Sequence, residues 1–150
     1  MDFTLSRADK NDIDPIFRLN KELIDKYEDT AQINYTRVLE IVENDIREHI
    51  SEYQRIICGG QTAGYLLALE KNDHTELDDL FLYPNFQNHG IGTEIINKII
   101  NNFKKPIFLH AFIKNEGAVR LYKRLGFEIV ETVHKTRYKM KYDEVNRQLL

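Results

Sequence analysis

The sequence has a single cysteine, no tryptophan, 3 prolines and 7 glycines in 150 residues. One thiol cannot close an internal disulfide, and Cys58, set in the apolar run Ile56-Ile57-Cys58, reads as a small buried hydrophobe. No run of about 18 apolar residues is present, and the N-terminal MDFTLSRADK has no apolar stretch behind a basic start. Neither a membrane span nor a secretory signal is read, and the cytoplasm is the expected compartment. With hydrophobic residues at 42% and charged ones at 30%, disorder and collagen are excluded. His49, His74, His110 and His134 show no metal-ligand spacing, so no metal is expected. A Gly-x-Ser-x-Gly turn and a Cys/His pair on catalytic elements are both missing, which removes the common hydrolase readings. The net charge is −3 without a basic stripe, so nucleic acid is a poor partner.

What is present suits one core and one domain, residues 1–150. Residues 1–60 hold 13 acidic against 8 basic side chains, and the remainder 11 against 13. The weak basic excess of the second part could serve a small anionic ligand. Phe3 to Arg7 alternates as a half-buried strand does. Asp12 and Asp14 with Pro15 mark a helix start, and Ile16, Leu19, Leu23 and Ile24 give that helix, ending near Tyr27, its apolar stripe. Residues 28–35 show no period. Asn34 or Thr36 caps a second helix with the stripe Val38, Ile41, Val42, Ile46 and Ile50. Arg55 to Cys58 and Thr62 to Glu70 form a hairpin about Gly59-Gly60. Thr75 to Tyr83 follows as a strand in which Glu76, Asp78, Leu80 and Leu82 alternate with Leu77, Asp79, Phe81 and Tyr83. A helix from about Gly90 to Phe103 buries Ile91, Ile95, Ile96, Ile99 and Ile100. Pro106 to Phe112 reads as a strand covered on both faces with a parallel neighbour. Asn115 caps a last helix ended by Gly126, and two strands, about Phe127 to Val133 and Thr136 to Tyr142, close the chain. The fold class is α/β (α+β): one mixed, mostly antiparallel sheet of about seven strands flanked by about four helices.

Three places could carry chemistry. In Gln87-Asn88-His89-Gly90-Ile91-Gly92, between a strand and a helix, the glycines let backbone amides approach a ligand and the helix start adds partial positive charge. A pyrophosphate fits there, and so does a tight turn whose glycines serve only packing. Dinucleotide and phosphate-loop fingerprints fail at Ile95 and Tyr65. Tyr122, within an otherwise aliphatic helix stripe, puts a phenol at the core edge as a proton donor or as a packed ring. Glu76 and Asp78, two apart on one strand that runs into the glycine turn, offer a general base or a solvated pair.

Together these pieces resemble a known family. Leu80-Phe81-Leu82-Tyr83-Pro84-Asn85-Phe86-Gln87-Asn88-His89-Gly90-Ile91-Gly92 resembles the coenzyme A motif of the GNAT superfamily of N-acetyltransferases, Gln/Arg-x-x-Gly-x-Gly/Ala after a strand. Asn115-x-x-Ala118-x-x-x-Tyr122-x-x-x-Gly126-Phe127 is similar to that superfamily's second motif, and the element order of the whole chain is that superfamily's. The resemblance implies acetyl-CoA as co-substrate. It implies pantetheine contacts from the backbone of Leu82 and Tyr83, and pyrophosphate contacts from the amides of Asn88, His89, Gly90, Ile91, Gly92 and Thr93. It also implies a side-chain contact from Asn115, Tyr122 as the acid that protonates the departing thiolate, and Glu76 as the base, with Asp78 second. Many members carry Arg or Lys inside the loop, where this chain has Gln87, Asn88 and His89.

The implied acceptor is a primary amine. Because Asp25, Glu28, Asp29, Glu40 and Glu43 cluster in the first part of the chain, a cationic amine is expected, and polyamine, aminoglycoside, lysine and protein N-terminus all stay open. Oligomeric state stays open too, a homodimer included. A second reading is a non-catalytic acyl-CoA sensor of the same fold, and a third a nucleotide-binding regulatory domain. Thiol release from acetyl-CoA in the presence of amines separates the first from the others.

Overall fold

In the computed structural model, which describes residues 1–144, the strands are β1 (Thr4–Arg7), β2 (Gln54–Cys58), β3 (Gln61–Glu70), β4 (Thr75–Leu82), β5 (Ile107–Phe112), β6 (Glu128–Val133) and β7 (Arg137–Tyr142). The helices are α1 (Ile13–Tyr27), α2 (Tyr35–His49), α3 (Ile91–Phe103) and α4 (Glu116–Arg124). The strands make one sheet in the order β1-β2-β3-β4-β5-β7-β6, antiparallel throughout except where β4 meets β5. Helices lie on both faces. Ile91, Ile95, Ile96, Ile99 and Ile100 of α3 and Val119 of α4 pack with Leu77, Ile107, Leu109 and Met140 on one face. Ile13, Ile16 and Leu19 of α1 and Ile46 of α2 pack with Tyr65, Leu67 and Leu69 of β3 on the other. Fully burying each such aliphatic side chain contributes roughly 1.5–3 kcal/mol.

Several local expectations change. Asp12 stands at the start of α1 but caps nothing in it. Its carboxylate instead accepts from the Asp9 amide at 2.9 Å, from Arg55 Nε at 2.8 Å and from the Tyr65 hydroxyl at 2.7 Å. Burial pushes that carboxyl up, and these donors outweigh it and hold it below the ordinary range. β1 is exposed at all four positions as an edge strand of the sheet. In α2, Ile41 is 44% exposed, since the covered stripe follows Val42, Ile46 and Ile50 at intervals of four. β5 is buried on the α3 face only: Ile107, Leu109 and Ala111 are covered, while His110 is exposed.

Strand β4 departs most from simple alternation. Asp79 pairs with Leu67 and Leu77 with the next residue, Ala68, so Asp78 is an extra residue, a β-bulge. Past it the faces exchange. Leu77, Leu80 and Leu82 all face the α3 core, and Phe81 and Tyr83 face α1 and α2.

Candidate active site

β4 and β5 are paired only at Thr75 with Ile107, Glu76 with Phe108 and Leu77 with Leu109. Beyond these three rungs β4 continues to Leu82 and β5 to Phe112 without partnering each other, which leaves a cleft between two unpaired edges. The Tyr83 amide donates to Ala63 at 2.8 Å and its carbonyl accepts from Phe86 at 2.9 Å. The N–H and C=O of Tyr83 thus each have one partner within the protein, and the carbonyl keeps a second lone pair. By the alternation of an antiparallel ladder, Leu80 and Leu82 turn their N–H and C=O groups the other way, into the cleft. The Leu82 carbonyl accepts from Gln87 Nε2 at 2.8 Å, so Gln87 ties the loop to the strand end and the Leu82 amide remains for an extended ligand.

Gly90 has φ +82°, a left-handed conformation that a side chain would strain, and it caps the N-terminus of α3. Asn88 also has positive φ. A Cβ at Gly90 would meet nothing, and one at Gly92 only the Leu80 Cδ2 atom at 4.0 Å. Protein packing does not require glycine at 92, so the space in front of the amides of Ile91, Gly92 and Thr93 fits an anion drawn by the helix end. These residues fit the diphosphate of coenzyme A.

Tyr122 lies in α4, which starts at the Asn115 cap, whose side chain accepts from the Ala118 amide at 3.3 Å. The Asn115 side chain therefore has a structural role besides the cofactor contact expected of it. The Tyr122 ring meets Phe127 edge-on at 5.9 Å. Its hydroxyl has no hydrogen bond among the described residues, and burial pushes it up to about 12, so it stays protonated at neutral pH.

Glu76 shares the α1/α2 face with Phe108, and its Oε1 lies 3.1 Å from Nε2 of His74. Asp78, in the bulge, keeps one side in water, while burial of the rest and the Glu76 charge push its carboxyl up. Two groups escaped the sequence reading. Asp79 accepts from the Tyr53 hydroxyl, and burial pushes its carboxyl up to about 6 against that bond and the neighbouring Asn20 amide. His110, beyond the last rung of β5, has one side in water and its ring partly shielded, and that shielding first, then Lys139 and Arg137, holds it below its ordinary value as a neutral imidazole able to take a proton. The sequence signal for His110 was its spacing of two from Phe108, and for Asp79 a third carboxylate beside the other two.

Asp79 makes stability pH-dependent. The folded state favours the protonated carboxyl, which binds a proton up to about pH 6 where an unfolded chain releases it near 3.8. The contribution is full below the lower value and is lost as pH rises through the upper one. Thermal melts should show wild type losing stability over that window and Asp79→Asn losing less; parallel slopes would refute the assignment.

The acidic patch of α1 and α2 is largely paired: Asp25 with Lys21, Glu28 with Arg137, Glu40 with Arg37 and Glu43 with Arg47. The Glu28 side chain is only 7% exposed and meets Arg137 at 3.1 Å. With Tyr27 stacked on Phe112 and Arg137 over the same ring, it ties the end of α1 to β5 and β7. Among the described residues no helix is long and apolar enough to cross a membrane, and no three His, Cys, Asp or Glu side chains gather as a metal site.

The sequence profile of the Acetyltransferase (GNAT) family matches residues 20–127. The chain belongs to that family. It is similar to N-alpha-acetyltransferase 50 of Danio rerio, 44% identical over 48 residues, 29% of each chain. It is also similar to the spermine/spermidine N(1)-acetyltransferase of Bacillus subtilis, 24% identical over 120 residues, 71% of this chain and 79% of that one. The chain spans 30%, 29% and 26% of the lengths of the first three curated relatives it matches. Among solved structures, PaiA N-acetyltransferase from Thermoplasma acidophilum in complex with coenzyme A superposes with a TM-score of 0.70 at 15% identity, covering 95% of this chain and 99% of that one. The fold is the same.

Proposed function

We propose that residues 1–150 act as one domain that transfers an acetyl group from acetyl-CoA to a primary amine, with Glu76 as base and Tyr122 as acid. The observation that carries this reading is the cleft between β4 and β5, with the open α3 N-terminus at Gly90 to Thr93 at its end. When bound, acetyl-CoA supplies a thioester carbonyl. The Leu82 amide, and that of Leu80, can donate to its oxygen as charge develops. Glu76 takes the proton that the acceptor ammonium must lose before its nitrogen can attack, directly or through water, with Asp78 as the second candidate. Tyr122 gives its proton to the departing sulfur. His110, neutral and on the opposite edge of the cleft, is a further proton acceptor for the same step.

The acceptor is a cationic amine. Asp78 on β4, rather than the paired acids of α1 and α2, supports this, since it keeps one side in water beside Glu76. A spermine-type amine and a peptide N-terminus, which the names of the relatives specify for those proteins, are the first acceptors to test. The cytoplasm, with its reducing conditions, suits the one buried thiol, Cys58.

The test is thiol release from acetyl-CoA with polyamines, aminoglycosides and lysine-bearing or free-N-terminal peptides in separate pools. Release with one pool, lowered roughly a hundredfold in Glu76→Gln, identifies the acceptor and its base together. Coenzyme A binding with no release from any pool would favour the acyl-CoA sensor. Failure to bind coenzyme A would remove the reading altogether.

A further inference from the structure

We propose that Asp73 and His74 position Glu76, holding one carboxylate oxygen so that the other is presented to the acceptor amine. This rests on the reading of Glu76 as base. His74 and Glu76 are two apart at the start of β4 and share a face. Nδ1 of His74 lies 2.6 Å from Oδ1 of Asp73, and Nε2 lies 3.1 Å from Oε1 of Glu76. The ring also stands edge-on to Phe108, 5.5 Å between centroids, and Phe108 is the β5 residue that pairs with Glu76. The imidazole thus has a carboxylate on each side and an aromatic ring set nearly perpendicular to it. Oε2 of Glu76 has no hydrogen bond among the described residues.

A glutamate whose side chain is 38% exposed would otherwise sample several rotamers, and ordering it costs free energy each time it must act. His74 removes that freedom in advance, the role of an orienting residue behind a catalytic one. The charges about the imidazole are Asp73 and Glu76 from its own segment, and Lys105 ahead of β5, which acts on Asp73. Lys139 and Lys141 of β7 lie over the Phe108 ring at 4.8 and 5.6 Å. Hydrogen bonding to Asp73 first, then to Glu76, outweighs desolvation and raises His74 above the ordinary imidazole value. Protonated, the ring donates from both nitrogens and places a positive charge against the carboxylate that must stay ionised to accept a proton.

A residue that only stapled the start of β4 would alter stability and cofactor affinity alike in every background. A positioning residue changes turnover, and only while Glu76 is present. The experiment uses His74→Phe, His74→Gln, Glu76→Gln and the His74→Phe/Glu76→Gln double variant, assayed by thiol release from acetyl-CoA with spermidine and with a short peptide bearing a free N-terminus. His74→Phe should lower kcat roughly tenfold with the KM for acetyl-CoA unchanged. His74→Gln, which keeps a donor, should recover much of the loss. In the double variant the His74 change should add nothing, because residues that act as a unit are not additive. An undiminished His74 effect in the Glu76→Gln background overturns the inference, as does a wild-type kcat in His74→Phe when Glu76→Gln is slow. Wild-type turnover in Glu76→Gln removes the assignment of Glu76, and its positioning pair with it. A second readout needs no acceptor. In coenzyme A-loaded protein, the Nε2 nitrogen resonance of His74 should shift, and its titration midpoint fall, on Glu76→Gln; an unmoved resonance shows that the hydrogen bond does not exist.

Discussion

Tyr122→Phe protein should release thiol from acetyl-CoA roughly ten- to ten-thousandfold more slowly than wild type while binding coenzyme A with nearly the same affinity. The phenylalanine keeps the ring and its edge-on contact with Phe127, so α4 and its Asn115 cap have no reason to move. Only the hydroxyl is lost. That hydroxyl has no partner among the described residues, and burial pushes it up to about 12, so it meets the reaction protonated. A thiolate leaving in the same water-poor cleft is made more basic by desolvation, as the phenol is, and the proton passes to that sulfur as the carbon–sulfur bond breaks. Turnover and calorimetry on the same preparation check the prediction. Unaltered turnover excludes Tyr122 as the acid, and a parallel loss of coenzyme A affinity would give the hydroxyl a binding role instead.

Gly64→Ala should be as damaging, through the backbone rather than the chemistry. Gly64 sits in β3 opposite Leu82, and a Cβ there would lie 1.8 Å from the Phe81 carbonyl oxygen and 2.8 Å from its carbon. These are backbone atoms with no rotamer to yield, so β3 and β4 must separate beside the segment that presents the Leu82 amide. Overpacking of this kind costs about 3 kcal/mol or more when the obstacle is rigid. Thermal melts should show a large drop in midpoint, and whatever protein remains folded should bind coenzyme A weakly. An alanine variant with wild-type stability and affinity would show that the close approach of these strands is not required.

Much of this was legible from residue order. The apolar periods of α1, α3 and α4, the Gly59-Gly60 hairpin, the Asn115 cap and the glycine turn each rest on local rules that the surrounding structure reinforces. The bulge at Asp78 was not legible. It depends on how β3 counts against β4, and no local preference announces an extra residue; reading strict alternation placed Leu77 with Asp79 and Glu76 with Leu80, the reverse of the faces found. His110 was passed over because it was weighed only as a metal ligand, and its value comes from the point where β5 loses its neighbour. Asp12 was read as a helix cap because the capping signal is local, whereas Arg55 and Tyr65, which claim its carboxylate, are more than forty residues away. Residue order gives Leu82 and Tyr83 equal standing toward pantetheine, and only the ladder to Ala63 shows that their backbone groups turn to opposite sides.

The three rungs between β4 and β5 have one further consequence, for how the molecule comes apart. Every other strand junction in the sheet is antiparallel and at least four pairs long. The short parallel junction is therefore a seam between an N-terminal leaf of four strands and a C-terminal leaf of three, held together across it mainly by the isoleucines of α3. Local opening favours such a boundary, where few backbone bonds must break at once. A ligand lying along both edges of the cleft would act as a splint across this seam.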